Sequence, residues 1–211
     1  MDAGLSLVVL ISGRGSNLQS IMDGAADGSL PATIAAVISN EPDAYGLERA
    51  RRAGIETRVI CHRDFESRQQ FDAALIENID VFNPGLVVLA GFMRILTPAF
   101  VNHYYGRLMN IHPSLLPEFP GIDTHQRAID AGVHEHGASV HFVTPELDGG
   151  PLIIQARVPV KAGDDADTLA ARVLEQEHRI YPQAIKWFAE GRLELKDGRV
   201  ILDGKPALEA C

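Results

Sequence analysis

The sequence predicts an α/β protein with a doubly wound, mostly parallel sheet and an antiparallel extension towards its C-terminal end. In the first half, continuous apolar runs such as "LSLVVLIS", "TIAAVIS" and "GLVVLAG" alternate with helix-like segments, as parallel strands buried on both faces do. In the second half, "GASVHFVT" and "GPLIIQARVPV" flank the turn-like "PELDGG", which predicts an antiparallel hairpin. Ligands of doubly wound proteins bind at the carboxyl ends of the parallel strands.

The first half predicts five strands with helices between them. "LSLVVLIS" is followed by a helix near "NLQSIMDGAA", and "TIAAVIS" by "AYGLERARRAG", a short helix that Gly54 closes. "ETRVI" is a weaker third strand. The next helix has an apolar face at helical spacing, and "GLVVLAG" is the fourth strand. Thr97 and Pro98 are the N-cap and first residue of another helix, after which "GRLMNIH" supplies the fifth strand.

A long helix is predicted after the hairpin, from about Asp167 to Ala189. Its apolar stripe at helical spacing consists of Leu169, Val173, Ile180, Ala184 and Phe188. Glu177 lies on the same stripe, and an inward carboxylate needs a partner. That partner is either Arg172 or Arg179, or else the hydroxyl groups of a ligand. The final "LELKDGRVILDG" predicts a small hairpin turning at Asp197-Gly198.

Composition narrows the class of protein. A chain of 211 residues can bury one full core. The net charge of −9 argues against general affinity for nucleic acid or an acidic membrane, so an anionic ligand needs a local site. No apolar run approaches the roughly 20 residues of a membrane span, and the first residues do not resemble a signal peptide. Cys61 and Cys211 are too few for a disulfide framework, which suits a reducing cytoplasm.

The stretch "SGRGSN", residues 12–17, lies between the first strand and the first helix. Its glycines permit a sharp turn and close approach to a ligand, and the N-terminus of the following helix favours an anion. It is not a dinucleotide fingerprint, because Leu18 occupies the last glycine position, and it is not a P-loop, because no G-K-[ST] follows. A single phosphate is the guest that fits best; the alternative is a plain tight turn.

Two further stretches lie at strand ends. "GFMRILTP" is an apolar loop after the fourth strand, which indicates either a planar apolar ligand beside it or a cap on the core. In "LMNIHPSLLPEFPG", Asn110 and His112 are two positions apart in a strand and therefore project to the same side. The prolines that follow stiffen the chain. The alternative for His112 is a hydrogen-bonded residue that only ends a strand.

Asp148 in "ELDGGP" is chemically complementary to His112. A carboxylate within hydrogen-bond reach would stabilise the imidazolium form of the ring, although Asp-Gly is also a common turn dipeptide. His134 and His136 lack a third ligand at a recognisable spacing, so a metal site is not predicted. Ser12, Ser114 and Ser139 lack the surroundings of a nucleophile elbow.

The chain resembles the folate-dependent formyltransferases, whose signature is Asn-x-His followed by Ser-Leu-Leu-Pro, here "NIHPSLLP". The similarity extends through "VVLISGRGSNLQSI", "VVLAGFMRILTPAFV", "HGASVHFVTPELDGGPLIIQARVPV" and "VLEQEHRIYP", which together cover nearly the whole chain. The resemblance implies a Rossmann-like fold and one formyltransferase domain over residues 1–211. Its nucleotide-binding half would be about 1–105 and its catalytic and folate-side half about 106–211.

The resemblance also implies an activity, the transfer of a formyl group from 10-formyltetrahydrofolate to the amine of glycinamide ribonucleotide, without a metal. The implied catalytic residues are Asn110, His112 and Asp148. The implied ribonucleotide-binding residues are Gly15, Ser16, Asn17 and Glu177. The implied folate-binding residues are Arg68, Met93, Arg94, Ile95, Leu96, Asn110, Thr144 and Asp148. The partners would be small molecules only, and the protein a monomer or a homodimer in the cytoplasm.

Rival interpretations remain. A related formyltransferase could act on another amine, such as that of a sugar nucleotide, and a deformylase would release formate without an amine. A non-catalytic nucleotide-monophosphate sensor would keep the sheet and lose the chemistry, which the intact Asn110, His112 and Asp148 argue against. Arg14 and Glu118 differ from the commoner residues of the family. An acidic Glu118 would not help to bind a polyglutamate tail.

Overall fold

The computed structural model describes residues 4–208, in which strands and helices alternate along the chain until two strands follow each other after residue 134. The strands are β1 (Leu5–Ile11), β2 (Ala32–Ser39), β3 (Thr57–Val59), β4 (Leu86–Leu89), β5 (Leu108–His112), β6 (Glu135–Phe142), β7 (Leu152–Pro159), β8 (Leu193–Lys196), β9 (Arg199–Leu202) and β10 (Lys205–Pro206). The helices are α1 (Ser16–Asp27), α2 (Tyr45–Arg52), α3 (Arg68–Asp80), α4 (Pro98–His103), α5 (Thr124–Asp130) and α6 (Ala166–Ala189).

The larger sheet has the strand order β3-β2-β1-β4-β5-β6-β7. β1 pairs in parallel with β2 and β4, and the pairs β2–β3 and β4–β5 are also parallel. β6 and β7 pair in antiparallel fashion. β8, β9 and β10 form a small antiparallel sheet. The predicted fold class, a mostly parallel sheet with an antiparallel extension, is confirmed.

The chain divides into two compact units between Asn110 and Ile111, and the single domain predicted for residues 1–211 stays a prediction. In the first unit, residues 7–11 of β1 and all of β4 are buried, as their continuous apolar sequences predict. Thr97 caps α4 as predicted, because its hydroxyl accepts a hydrogen bond from the Phe100 N–H.

In the second unit, α6 packs against β6 and β7. The buried residues of α6 are Leu169, Val173, Glu177, Ile180, Tyr181, Ala184 and Ile185. Asp165 caps the helix by accepting from the Thr168 N–H. Arg172 was one of the two predicted partners of Glu177. Instead it forms a bidentate ion pair with Asp164 through both terminal nitrogens. This hydrogen-bonded guanidinium lowers the pKa of the Asp164 carboxyl.

Three elements were not predicted, and one of them is β10, which has only two residues. α5 begins at Thr124 after Asp123 and has seven residues, too few for an apolar period to show in the sequence. A 3₁₀ turn occupies His62–Asp64. α5 follows a segment rich in proline and turn residues, where a sequence pattern favours a loop.

Candidate functional site

The glycine-rich loop joins β1 to α1 at the carboxyl end of the strand. Gly15 adopts a left-handed conformation with φ of 70° and directly precedes the helix, which has no side-chain cap and no acidic residue in its first turn. Backbone N–H groups and the positive end of a helix dipole attract an anion at such a position. The loop therefore keeps the features from which a phosphate site was predicted.

Helix α2 holds this loop in place. The Gly46 N–H donates to the Gly13 carbonyl at 3.0 Å, and the Arg49 Nε donates to the Arg14 carbonyl at 3.0 Å. A Cβ on Gly15 would lie 2.7 Å from the Gly46 Cα, so the two glycines allow the segments to touch. Neither Gly46 nor Arg49 was identified from the sequence. A glycine in the first turn of a helix was the available signal, because it is unfavourable there unless another backbone approaches closely.

The apolar loop after β4, residues 93–96, exposes two of its apolar side chains. Met93 is 75% exposed and Ile95 57%, whereas Leu96 is buried. The guanidinium of Arg94 lies 5.5 Å from the centre of the Phe71 ring, which orients it against α3. Arg68, also predicted at the folate site, is an exposed residue at the start of α3.

The loop is fixed at both ends by side chains from elsewhere in the first unit. The Met93 N–H donates to the Ser12 hydroxyl at 2.8 Å. At the other end, the Thr97 N–H donates to Asp72 Oδ2 at 2.6 Å, where Asp72 is itself buried. Exposed apolar side chains on a backbone anchored in this way are suited to contact an apolar ligand.

In the second unit the structure brings His112 and Asp148 together. His112 Nδ1 lies 3.5 Å from Asp148 Oδ2, and the side chains are 7% and 8% exposed. His112 Nε2 lies 3.0 Å from the Phe119 carbonyl oxygen, which can only accept, so Nε2 carries a hydrogen. The Nδ1 edge of the ring is the one directed towards the carboxylate.

The Asp148 carboxylate is held by the backbone around it. Its Oδ2 accepts from the Gly121 N–H at 2.8 Å. Asp148 itself is left-handed, with φ of 51°, a conformation that Asp tolerates better than most residues. Phe119, whose carbonyl holds His112, is left-handed too, with φ of 51°. Unusual backbone conformations of this kind often occur at functional sites.

His141 lies on the other side of the same carboxylate, with Nε2 3.9 Å from Asp148 Oδ1. Its Nδ1 contacts the Phe142 carbonyl at 2.9 Å and so carries the hydrogen of the neutral ring. Burial lowers the pKa of His141, which favours that neutral form. His141 was not identified from the sequence, although its position near the end of a strand, shortly before "VTPELDGG", was a signal.

Two more histidines lie near His112. The rings of His125 and His136 meet edge to face with centroids 5.2 Å apart, and Phe119 contacts the His136 ring from 5.9 Å. His136 is 1% exposed. Burial, with a smaller contribution from the charge of His125, lowers the pKa of His136 to about 4.

Acid is therefore expected to destabilise the protein through His136. The unfolded state binds this proton near the ordinary pKa of about 6.5 and the folded state only near 4, so stability is lost as the pH falls between these values. Between pH 7 and pH 5 the His136 contribution to the unfolding free energy should fall by about 2 kcal/mol. Urea unfolding at both pH values would measure it in the wild type and in His136→Leu. An equal loss in the two proteins would contradict the assignment.

The other predicted residues are placed as follows. Asn110 is half-buried and precedes His112 on β5 by two positions, and Ser16 and the buried Asn17 begin α1. Glu177 is buried on α6. The Thr144 hydroxyl is buried and makes no hydrogen bond with any described residue. The structure brings together His112 with Asp148, and the members of the glycine-rich loop. The functional roles of all these residues stay predictions.

Two further features, clusters of metal ligands and helices long enough to span a membrane, concern residues 4–208. No group of three or more His, Cys, Asp or Glu side chains is arranged to hold a metal ion there. Within the same residues, no helix has both the length and the apolar character that a membrane span requires.

The described chain is thus a doubly wound α/β protein, with a glycine-rich turn in the first unit and a buried histidine–carboxylate pair in the second. A family model described as formyl transferase matches residues 5–185, and the chain belongs to this family. The resemblance found in the sequence is thereby confirmed.

Individual relatives match over almost their whole length. The chain is 58% identical over 201 residues to the phosphoribosylglycinamide formyltransferase of Escherichia coli (strain K12), covering 95% of each chain. The structure of a phosphoribosylglycinamide formyltransferase from Coxiella burnetii has a TM-score of 0.92 at 55% identity, over 96% of this chain and 95% of that one. A glycinamide ribonucleotide transformylase from Symbiobacterium toebii has a TM-score of 0.93 at 48% identity over the same shares of the two chains.

Proposed function

We propose that this chain transfers the formyl group of 10-formyltetrahydrofolate to the amino group of glycinamide ribonucleotide, a step of purine biosynthesis. The similarity to phosphoribosylglycinamide formyltransferases over 95% of both chains carries this proposal. The retained Asn110, the His112–Asp148 pair and the glycine-rich loop support it, because each has a defined task in the reaction. The partners are small molecules, and the protein works in the cytoplasm as a monomer or a homodimer.

The glycine-rich loop binds the ribonucleotide phosphate through Gly15, Ser16 and Asn17. The uncapped start of α1 favours an anion at this point. Hydrogen bonds from α2 to the carbonyls of Gly13 and Arg14 hold the loop there. Glu177 binds the ribose hydroxyls, since a buried carboxylate is a strong acceptor for such groups. The net charge of −9 would repel a phosphate, so the attraction has to come from this local site.

The apolar loop binds the folate. Met93 and Ile95 supply exposed apolar surface, and Leu96 supports them from beneath. Arg94 and Arg68 supply positive charge, which suits the carboxylates of a folate. Thr144 and Asp148 also contact the folate. The Thr144 hydroxyl makes no hydrogen bond with a described residue and can form one with the folate.

The reaction is a direct transfer. The neutral amine attacks the formyl carbon, negative charge develops on the formyl oxygen, and the bond to the folate nitrogen then breaks. A proton leaves the attacking amine and one reaches the departing nitrogen, giving the formylated ribonucleotide and tetrahydrofolate. Asn110 and His112 project to one side of β5 and donate hydrogen bonds to the developing oxyanion.

The hydrogen bonds of His112 indicate which edge acts. Its Nε2 hydrogen is given to the Phe119 carbonyl, so the Nδ1 edge is the one that can meet the substrate. Asp148 Oδ2 lies 3.5 Å from Nδ1, where its charge faces a hydrogen bond donated from that edge. It is too far to take that hydrogen bond fully, so the Nδ1 hydrogen is available to the formyl oxygen.

A steady-state assay that follows folate absorbance tests the proposal. Formation of tetrahydrofolate should require glycinamide ribonucleotide and produce one formylated ribonucleotide for each tetrahydrofolate. Formate released without the amine would instead identify a deformylase, and turnover with a sugar-nucleotide amine in place of the ribonucleotide would identify another acceptor. Thermal stabilisation by ribonucleotide with no turnover would indicate a sensor.

Gly46→Ala is expected to raise the KM for the ribonucleotide about tenfold or more with a smaller effect on the KM for the folate. The new Cβ would lie 2.5 Å from Ile11 Cδ1 and 3.2 Å from the Gly15 Cα, which displaces the glycine-rich loop. Equal changes in the two KM values would contradict the placement of the phosphate.

A further inference from the structure

Ser12 contacts both loops of the first unit. These are the glycine-rich loop, residues 12–17, called the ribonucleotide loop below, and the apolar loop, residues 93–96, called the folate loop. Ser12 begins the glycine-rich loop, and its N–H donates to the Gly91 carbonyl at 3.0 Å. Its hydroxyl accepts from the Met93 N–H at 2.8 Å. One residue therefore connects the start of the ribonucleotide loop to the start of the folate loop, although Ser12 and Met93 are 81 positions apart in the chain.

Asn40 fixes the direction of the Ser12 hydroxyl. The Ser12 O–H donates to Asn40 Oδ1 at 2.5 Å, which leaves an oxygen lone pair for the Met93 N–H. Asn40 is 3% exposed, and its Nδ2 faces His62 Nδ1 at 3.1 Å and Glu41 Oε1 at 3.4 Å. Because the Glu41 carboxylate accepts from its nitrogen, the Asn40 amide is oriented with its oxygen towards Ser12.

The folate loop depends on this anchor because packing holds it only in part. Met93 and Ile95 are exposed, so their side chains bury little apolar surface in the protein itself. The hydroxyl of Ser12 fixes the loop at Met93, and Asp72 fixes it at Thr97. Loss of the Ser12 hydroxyl would leave the Met93 N–H and the Asn40 oxygen without this partner.

We propose that Ser12, oriented by Asn40, is a positioning residue that sets the folate loop relative to the ribonucleotide loop and so supports the binding of both substrates. This inference rests on the proposed function of the two loops. Ser12 makes no contact with reacting atoms in this role, so it affects binding much more than the chemical step.

Ser12→Ala is the first test. The KM for 10-formyltetrahydrofolate should rise about tenfold and that for the ribonucleotide about threefold, with kcat changed by less than about threefold. Calorimetry with tetrahydrofolate should show the same tenfold loss of affinity. Ser12→Thr keeps the hydroxyl and should restore the binding of both substrates. A Ser12→Ala protein with unchanged KM values overturns the inference, and so does Thr with the same defect as Ala.

A double-mutant cycle tests the role of Asn40. Asn40→Ala should raise the folate KM, and adding it to Ser12→Ala should raise that KM no further, since Asn40 acts through the serine. Additive effects overturn the relay. Ser39→Ala is the matched control, because this buried hydroxyl also donates to one group and accepts from another, both on Glu41. If Ser39→Ala changes the KM values as Ser12→Ala does, general loosening explains the result and the inference fails.

The outcomes separate this inference from the proposed function. If the wild-type protein binds no tetrahydrofolate and transfers no formyl group, both the proposed function and the inference that rests on it are wrong. If the wild-type protein transfers the formyl group and the Ser12→Ala protein has normal affinity for tetrahydrofolate, only the inference is wrong.

Discussion

Replacing His112 with Ala is expected to lower kcat by about 100-fold or more while the protein stays folded. The imidazole is the charged donor of the proposed oxyanion site, and its loss removes a hydrogen bond that forms only as charge develops on the formyl oxygen. The KM values should change little, because a transition-state interaction contributes little to ground-state binding. Steady-state kinetics with both substrates measures the effect.

Two comparisons separate loss of chemistry from loss of structure. Calorimetry should show that the His112→Ala protein still binds the ribonucleotide. His103→Ala, which removes a ring hydrogen-bonded to Asp80 at 2.9 Å in the first unit, should keep a normal kcat. A folded His112→Ala protein with kcat within tenfold of the wild type would refute the donor role assigned to the imidazole.

The parts of the fold that could be predicted from the sequence are those in which burial produces an apolar pattern within a single segment of the chain. β1, β2 and β4 are apolar along their length because both faces are covered, and α6 is long enough for an apolar stripe to show. β3 has three residues and α5 has seven, and segments of that length carry little periodic signal. Their conformation depends on what they pack against.

In the candidate site, too, the features that could be predicted are those contained in a short segment of the chain. The glycine-rich loop and the Asn-x-His pair were found because their chemistry lies in consecutive residues. Gly46, Arg49 and Asn40 were not found, because each acts on a loop residue about 30 positions away, and a single sequence does not show such pairs. His141 was not identified because it lies in a strand whose residues are almost all buried, where a histidine is not distinguished from the residues of the core. The residues that bind or react were thus more accessible to prediction than the residues that hold them.

Asp148→Asn is the second substitution with a large expected effect, a fall in kcat of about 100-fold. The amide keeps the shape of the side chain, its oxygen can still accept from the Gly121 N–H, and Asn tolerates the left-handed backbone. What it removes is the negative charge 3.5 Å from His112 Nδ1. The fold should therefore survive while the hydrogen-bond donor of the oxyanion site loses the carboxylate beside it.

The matched control is Asp123→Asn, a change of the same type at another left-handed residue of the second unit, with φ of 56°. It should leave kcat and both KM values near normal, because Asp123 is exposed and its side chain does not cap α5. If Asp148 acts through the charge of His112, the double variant His112→Ala with Asp148→Asn should be hardly slower than the slower single variant. Multiplicative losses would mean that the two residues act independently, and the carboxylate would then need a role of its own in moving the proton between the amine and the folate nitrogen.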